Sequence, residues 1–445
     1  MMQIFKNYVI SLERKILKIK VDAKDFKYIS DNSKEADKDT AFLITKSSEK
    51  YIEDAEKNGA EISLYPEDLY DFFDLDIKII GITGTNGKTT TTAIIYSLLL
   101  DLGYRVALLG TRGFFINDER IKEKGLTTPS LFDLYLDIKK AKELGCDFFV
   151  MEVSSHAIEQ NRIEGLEFAL KVHTNITQDH LDYHKTLQSY IDVKNSFFQD
   201  ETLKLVNKDD KNIDFNPKNA YSYSIDSSSS FAIEAYSLAN KISAVVTFAN
   251  EKEEFHSELY ALFNLYNLLA GIASVKLLTK KPLKEICEEV DNFAGVAGRL
   301  EVVNENPLVI VDFAHTPDGL KKVLEEFKTA NVTAVFGAGG DRDRGKRAIM
   351  GRVVARYAKK TIITSDNPRS EEPQAIIDDI LENIENRDNI FTFVDREEAI
   401  LFALENQVEE EIVIIFGKGD ETYQIFKNET IHFDDREVVR EFFEV

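Results

Sequence analysis

The residues with the most chemistry in them form one run, Gly81-Ile82-Thr83-Gly84-Thr85-Asn86-Gly87-Lys88-Thr89-Thr90. A short apolar stretch over residues 77–80 precedes it, and helical spacing of apolar residues runs from Thr89 to Leu102. Strand, glycine turn and helix start are the context a phosphate cradle requires. Glycines let backbone N–H groups turn inward around phosphate oxygens, and the helix N-terminus adds partial positive charge. Lys88 would reach the β- and γ-phosphates, and Thr89 would offer its hydroxyl to Mg2+. The general pattern places glycine five residues before Gly87, where this chain has Ile82. An ordinary glycine-rich turn is the alternative.

A second dense segment, Met151-Glu152-Val153-Ser154-Ser155-His156, continues through Gln160 and Arg162. Glu152 ends an apolar run, and ligands collect at such strand ends in open α/β sheets. A carboxylate placed there is unfavourable unless paired, hydrogen-bonded or bound to a cation. A capped or salt-bridged strand end would satisfy it equally. Further on comes Thr174-Asn175-Ile176-Thr177-Gln178-Asp179-His180-Leu181-Asp182-Tyr183-His184. His180 joins Glu152 and Thr89 as a candidate magnesium ligand, although a lone histidine is more often structural. Lys194 falls on a predicted helix beginning near Leu187, where a solvated lysine is the plain reading.

The elements that must position these groups alternate. Residues 106–109 and 148–153 are further buried-strand candidates with helical stretches between them, the pattern of a parallel sheet covered on both faces. After Gly298-Arg299 a second series begins, with strand-length apolar runs at 308–311, 332–336, 361–364, 390–394 and 412–416. Gly339 to Arg347, Asp366 to Arg369 and Gly417 to Gln424 each follow such a run, so they should gather at one sheet edge. The fold class is therefore α/β with three domains. Residues 1–75 come first, then a central P-loop parallel-sheet ATPase domain at 76–297 and a Rossmann-like doubly wound domain at 298–445. Tyr65-Pro66-Glu67-Asp68 reads as a linker before the second.

With 43% apolar and 30% charged residues, the composition is that of a globular protein. The net charge of −23 argues against binding to nucleic acid or to an anionic membrane surface. Two distant cysteines, Cys146 and Cys287, do not suggest a disulfide framework. No uninterrupted apolar run reaches the ~18 residues of a membrane span. The start, Met1 to Lys6, lacks a signal peptide's apolar stretch. A cytoplasmic protein without membrane insertion is expected.

The Thr-Gly-Thr-Asn-Gly-Lys-Thr wording resembles the ATP loop of the Mur ligases and of folylpolyglutamate synthetase. The order of the Glu152 and Asp179-His180-Leu181-Asp182 blocks looks like the Mur ligases as well. That resemblance implies ATP as co-substrate and Mg2+ held by Thr89, Glu152 and His180. It also implies a carbamylated Lys194, because carbamylation turns a repelled ammonium into a carboxylate. The implied catalytic set is Lys88, Glu152, His180 and Lys194. The implied ATP site takes Gly84, Thr85, Asn86, Gly87, Lys88, Thr89, Thr90, Asn264 and Asn267 beside adenine, and Arg299 at the junction into the last domain. Asp312-Phe313-Ala314-His315-Thr316-Pro317-Asp318 matches a loop that closes on the nucleotide. A capped strand-to-helix turn through Thr316 and Pro317 is also expected there.

Within the family the match is nearest the tripeptide synthetases, which extend UDP-N-acetylmuramoyl-L-alanyl-D-glutamate. It implies that Thr127, Thr128, Ser154, Gln160 and Arg162 hold this UDP-linked dipeptide. Asn32 would lie near the uridine, with a simple polar turn as the alternative. Leu126 stands where the family often has Asn, and Asp420 where it usually has His. Asp366-Asn367-Pro368-Arg369 looks like the recognition sequence of the enzymes that add meso-diaminopimelate. The implied pocket comprises Arg342, Asp366, Asn367, Pro368, Arg369, Gly417 and Glu421. A fixed arginine can bind the far carboxylate of diaminopimelate bidentately, whereas lysine has no such group. The expectation is an ATP-dependent amide-forming ligase acting through an acyl phosphate, monomeric. A lysine-adding or folylpolyglutamate-type ligase is the alternative.

Overall fold

The structure is a computed structural model describing residues 18–444 apart from residues 118 and 240. The expectation about Met1 to Lys6 lies outside the described residues. Four sheets organise the described residues. The first has four short strands between Ile19 and Leu64. Tyr65-Pro66-Glu67-Asp68, read as a linker, is instead the start of a tight helical turn, Pro66–Asp71. Its Pro66 and Leu69 are buried, and Leu69 joins a core shared with the next sheet. Proline suits a first helical position because its missing N–H would have no partner there.

The central sheet has eleven strands. At its middle lies Lys78–Thr83, between Phe168–His173 on one side and Phe148–Glu152 on the other, all parallel. These strands are buried along nearly their whole length, so they read as continuous apolar runs rather than alternating ones. The expected parallel sheet holds for this middle, but both edges are antiparallel. Gly113–Ile116 and Glu119–Lys122 extend one edge, while Ile242–Phe248 and Glu251–Ser257 close the other. Along Glu251–Ser257 more buried and exposed positions alternate because one face meets water.

Two helices back the centre of the sheet. Lys88–Asp101 leaves the glycine loop, and Leu262–Thr279 packs across it through Ile94, Ile95, Leu98, Leu265, Leu268 and Ile272. Gly271 permits the close crossing, since a Cβ there would lie 2.3 Å from Ile94 Cγ2. Leu262–Thr279 is long and apolar enough to cross a membrane, but 67% of its window is buried within the protein. It is a core helix.

The last large sheet has six strands, all parallel except its first, Glu301–Glu305. Period-two alternation sends Ile310, Ala334, Phe336, Ile363 and Ile414 to one face, against the helices Pro317–Glu326, Gly345–Tyr357 and Pro373–Leu381. Val309, Val311, Val335, Ile362, Val413 and Ile415 point the other way, against Arg396–Glu405 and Asp435–Phe443. This is the doubly wound arrangement expected. Thr316 caps Pro317–Glu326 through its hydroxyl, as the Thr-Pro pair predicts.

Candidate active site

The glycine loop is held from several sides at once. Thr85 N donates to Asn175 O at 2.6 Å, and Asn86 N to Asn175 Oδ1 at 3.1 Å. Thr174 Oγ1 donates to Asn86 O at 2.6 Å. Gly87, at φ 83°, sits against Asn267, whose Oδ1 would lie 2.4 Å from a Cβ. Asn267 bonds to Asn264 at 3.0 Å and accepts from Thr91 at 3.3 Å, and both asparagines are buried. The pair expected beside adenine thus ties the loop helix to the Leu262–Thr279 helix. Thr90 is buried beneath the loop.

Lys88 folds back so that its ammonium donates to Gly84 O at 2.8 Å and Thr85 O at 2.9 Å. Burial pulls its pKa below the ordinary lysine value, against the opposing pull of Glu152 and Asp179. Lys194, expected from the residues alone to be solvated, is 1% exposed. Its ammonium donates to Thr83 Oγ1 at 3.2 Å and Gly84 O at 2.9 Å. Burial first, and then the charge of Lys88, drive its pKa well below the usual range. Such a lysine carries a neutral, nucleophilic amine more readily than a surface one.

Glu152 closes the other side of the loop. Its Oε2 accepts from Thr89 Oγ1 and Thr111 Oγ1, both at 3.1 Å, and its Oε1 from Thr111 N at 2.9 Å. Thr111 was missed in the sequence; its only signal was a hydroxyl directly after the Val106–Gly110 strand. His180 has a left-handed backbone at φ 51°. Its Nε2 lies 3.5 Å from Asp179 Oδ2, and its ring meets His156 edge-on at 5.0 Å. Among the described residues no three His, Cys, Asp or Glu side chains converge as a metal cage. Thr89 and Glu152 are brought together here, while His180 faces Asp179.

The residues expected to hold the UDP-linked peptide form one network running away from Glu152. Thr111 Oγ1 contacts Thr127 Oγ1 at 3.2 Å, and Thr128 Oγ1 donates to Glu152 O at 2.9 Å. Ser154 N donates to Thr128 Oγ1, and Ser154 Oγ caps the short helix Ser155–Glu159. Arg162 reaches Thr128 O at 2.9 Å and grips Gln160 Oε1 through two N–H groups. Gln160 in turn donates to Tyr183 OH at 2.9 Å. The first sheet joins this network through Lys46, which donates to Glu159 O. Asn32 lies apart, with its amide bonded to Lys34 N and Glu35 inside its own polar turn.

The loops after the C-terminal strands meet as predicted. Asn367 donates to Glu421 Oε2 at 3.0 Å, and buried Lys418 lies 3.3 Å from the same carboxylate. Gly417 packs on Asp366 Oδ2, and Pro368 is buried against Gly340. Arg369 has a left-handed backbone at φ 54°, and its guanidinium donates to Gly340 O at 2.8 Å. Arg342 is exposed beside Gly339. Arg347, which ends the charged run noted in the sequence but was given no role there, is 1% exposed and clamps Glu371, Asp379 and Gly339 O, holding the Gly339–Arg342 loop in place.

The two large sheets close on each other across the loop. Asn86 and Thr177 both donate to Asp318 Oδ2, at 3.3 and 3.0 Å. Lys124 pairs with Asp420 at 2.9 Å, with Arg112 3.8 Å from the same carboxylate. Arg299 stacks on Phe313 at 4.2 Å and bears electrostatically on Lys88. Contacts therefore link the cradle, the Thr127–Arg162 network and the C-terminal loops to one another.

Residues 82–275 match the family model of the Mur ligase middle domain, and residues 298–419 that of the Mur ligase glutamate ligase domain. A relative from Wolinella succinogenes, named UDP-N-acetylmuramoyl-L-alanyl-D-glutamate--2,6-diaminopimelate ligase, is 53% identical over 415 residues, covering 93% of this chain and 96% of its own. A relative of the same name from Helicobacter pylori is 51% identical, covering 94% and 96%. A solved structure of that name superposes with a TM-score of 0.68 at 29% identity over 96% of this chain and 97% of the other. A folylpolyglutamate synthase/dihydrofolate synthase from Yersinia pestis shares the fold, with a TM-score of 0.62 at 19% identity over 85% and 92%. On both family models and on these relatives, this chain belongs to the Mur ligase family.

Proposed function

We propose that the protein is an ATP-dependent ligase that joins meso-diaminopimelate to the D-glutamate of UDP-N-acetylmuramoyl-L-alanyl-D-glutamate in peptidoglycan biosynthesis. The observation that carries the amino acid assignment is the junction of Asn367 and Glu421 beside Arg369. Glu421 offers a carboxylate to an ammonium, and Arg369 a guanidinium to a carboxylate. Diaminopimelate presents both groups at its far end, while lysine presents only the ammonium. A half-buried arginine left without its partner loses ~1–3 kcal/mol. Close relatives bearing the diaminopimelate ligase name support the same reading.

In the ATP complex Lys88 would exchange the Gly84 and Thr85 carbonyls for phosphate oxygens, and loop N–H groups would surround the same phosphates. The Thr127–Arg162 network presents the D-glutamate carboxylate toward the γ-phosphoryl group; a carboxylate oxygen bonds to the γ-phosphorus as its bond to the β-phosphate oxygen breaks, giving an acyl phosphate and ADP. The amine of the bound amino acid, held by the C-terminal loops, attacks the acyl carbon. Phosphate leaves and the amide remains. Lys88 stabilises charge on the transferring group, and closure of the two sheets excludes water from the acyl phosphate.

A divalent cation fits the oxygens present. Thr89 Oγ1 and Glu152 Oε2 lie 3.1 Å apart at the cradle's helix start, a hard donor pair suited to Mg2+. His180 and a carbamylated Lys194 complete the proposed holder, and the ion would neutralise triphosphate charge. The working unit is proposed to be a monomer. The working parts are segments 1–75, 76–297 and 298–445, each carrying a sheet of its own. The nucleotide-linked substrate and the free, buried Cys146 and Cys287 support a cytoplasmic setting. The test is amino-acid-dependent phosphate release with the purified UDP-linked dipeptide. Turnover with diaminopimelate and little with lysine is expected; the reverse rejects the assignment.

A further inference from the structure

Arg396 lies outside every motif assigned to the proposed site. It is the first residue of Arg396–Glu405, on the far side of the C-terminal sheet, and it is 1% exposed. Its guanidinium makes a two-pronged pair with Asp435, itself fully buried, through Nε and one terminal N–H₂ group, both at 2.7 Å. The remaining donors reach two backbone carbonyls, Ser365 O at 3.2 Å and Phe416 O at 2.9 Å. Ser365 immediately precedes Asp366-Asn367-Pro368-Arg369, and Phe416 immediately precedes Gly417-Lys418-Gly419-Asp420-Glu421. One planar group is thus fastened to the roots of both loops assigned to the incoming amino acid. Those loops leave strands Lys360–Ile363 and Glu411–Phe416, which are not neighbours, because Asn331–Phe336 lies between them. No strand ladder sets the spacing of the two strand ends directly.

We infer that Arg396, oriented by Asp435, is a positioning residue for amino acid recognition, fixing the separation of the Asn367–Arg369 and Gly417–Glu421 loops. The inference rests on the C-terminal loops being the amino acid site, as proposed above, but not on which amino acid is bound. A guanidinium suits the task because its donors lie in one rigid plane, so four bonds fix four acceptors relative to each other. An ammonium has three donors and a single centre. The Asn367–Glu421 contact tolerates little drift before it opens, since hydrogen bonds weaken steeply with angle and distance.

The experiment uses the full-length enzyme with Arg396→Lys and, separately, Asp435→Asn. Initial rates are measured with ATP, the UDP-linked dipeptide, and whichever amino acid the wild type turns over. KM for that amino acid should rise at least ~10-fold in Arg396→Lys and less in Asp435→Asn, with KM for ATP within ~2-fold in both. Hydrogen exchange should quicken in peptides covering 365–371 and 416–424 but not in those covering 81–90. Equal rises in both KM values, or unchanged exchange at the two loops, overturn the inference. Loss of folding in both variants overturns it too, by making the pair a strut of the domain core. A wild type that prefers lysine would reject the proposed substrate while leaving this test intact.

Discussion

Lys88 and Lys194 donate to the same carbonyl oxygen, that of Gly84, at 2.8 and 2.9 Å. Two ammonium groups on one acceptor, Lys194 buried and Lys88 half-buried, repel each other, and Asp179, with Glu152 at Lys88, only partly offsets this. A triphosphate relieves one of them. A carbamate on Lys194 would relieve the other by inverting its charge.

Lys88→Met should therefore lower turnover by ~10²–10³-fold, the usual size for a preorganised group at developing charge. Lys194→Ala should also depress turnover, and millimolar formate or acetate should restore part of it by supplying a carboxylate. Steady-state phosphate release with and without the added acid checks both. Full activity in Lys194→Ala would remove that residue from the chemistry.

Arg369→Ala should cut kcat/KM for diaminopimelate by ~10–100-fold, leave KM for ATP within ~2-fold, and narrow the gap between diaminopimelate and lysine. Because Arg369 has a left-handed backbone, Arg369→Gly separates backbone strain from the lost guanidinium. Both variants should lose selectivity alike. Selectivity retained in either one would show that another group reads the far carboxylate.

What was legible in the chain was local. The cradle declares itself because Gly87-Lys88-Thr89 must sit between a strand and a helix, and buried parallel strands read as unbroken apolar runs. The loops at 366–369 and 417–424 could be placed on one edge because each follows such a run. Partners that depend on strand order were not visible. Thr111 meets Glu152 because the strands ending at Gly110 and Glu152 are neighbours, and Arg347 and Arg396 looked like any helix-start arginine. Lys194 was misleading because its helix turns that face inward under the cradle. The antiparallel edge strands were missed where one face is polar, and Tyr65 to Asp68 read as a linker although its apolar neighbours are core.

Glu371 is held at a pKa of about 2 mainly by its hydrogen bond to Arg347. Its folded value lies below its unfolded value near 4.5, so its stabilisation is complete above ~4.5 and is lost as pH falls toward 2. Glu371→Gln should destabilise the protein by on the order of 1–3 kcal/mol at pH 7. The difference from wild type should close between pH 4.5 and 2.5. Denaturant midpoints of both proteins across that range check it, and a gap that stays constant with pH would show that the charge on Glu371 contributes nothing.

The pair Lys124–Asp420 joins the segment leading to Thr127 to the loop holding Glu421. Lys124 is 32% and Asp420 15% exposed at the side chain, so the attraction is screened but not abolished by water. Arg112 faces the same carboxylate and its Nε is buried without a hydrogen bond, which leaves Asp420 as its nearest compensating charge. The bridge should favour the closed cleft in which dipeptide and amino acid meet. Asp420→Asn and Lys124→Met should each lower kcat/KM for the amino acid by ~2–5-fold at low ionic strength, matching a coupling of ~0.5–1 kcal/mol. The double variant should lose no more than either single one. Raising salt from ~0.1 M to ~1 M shrinks the screening length from ~10 to ~3 Å, so wild type and variants should converge. If the penalties instead add, or persist at high salt, the contact is a by-product of closure and the sheets are drawn together by the Asp318 bonds to Asn86 and Thr177.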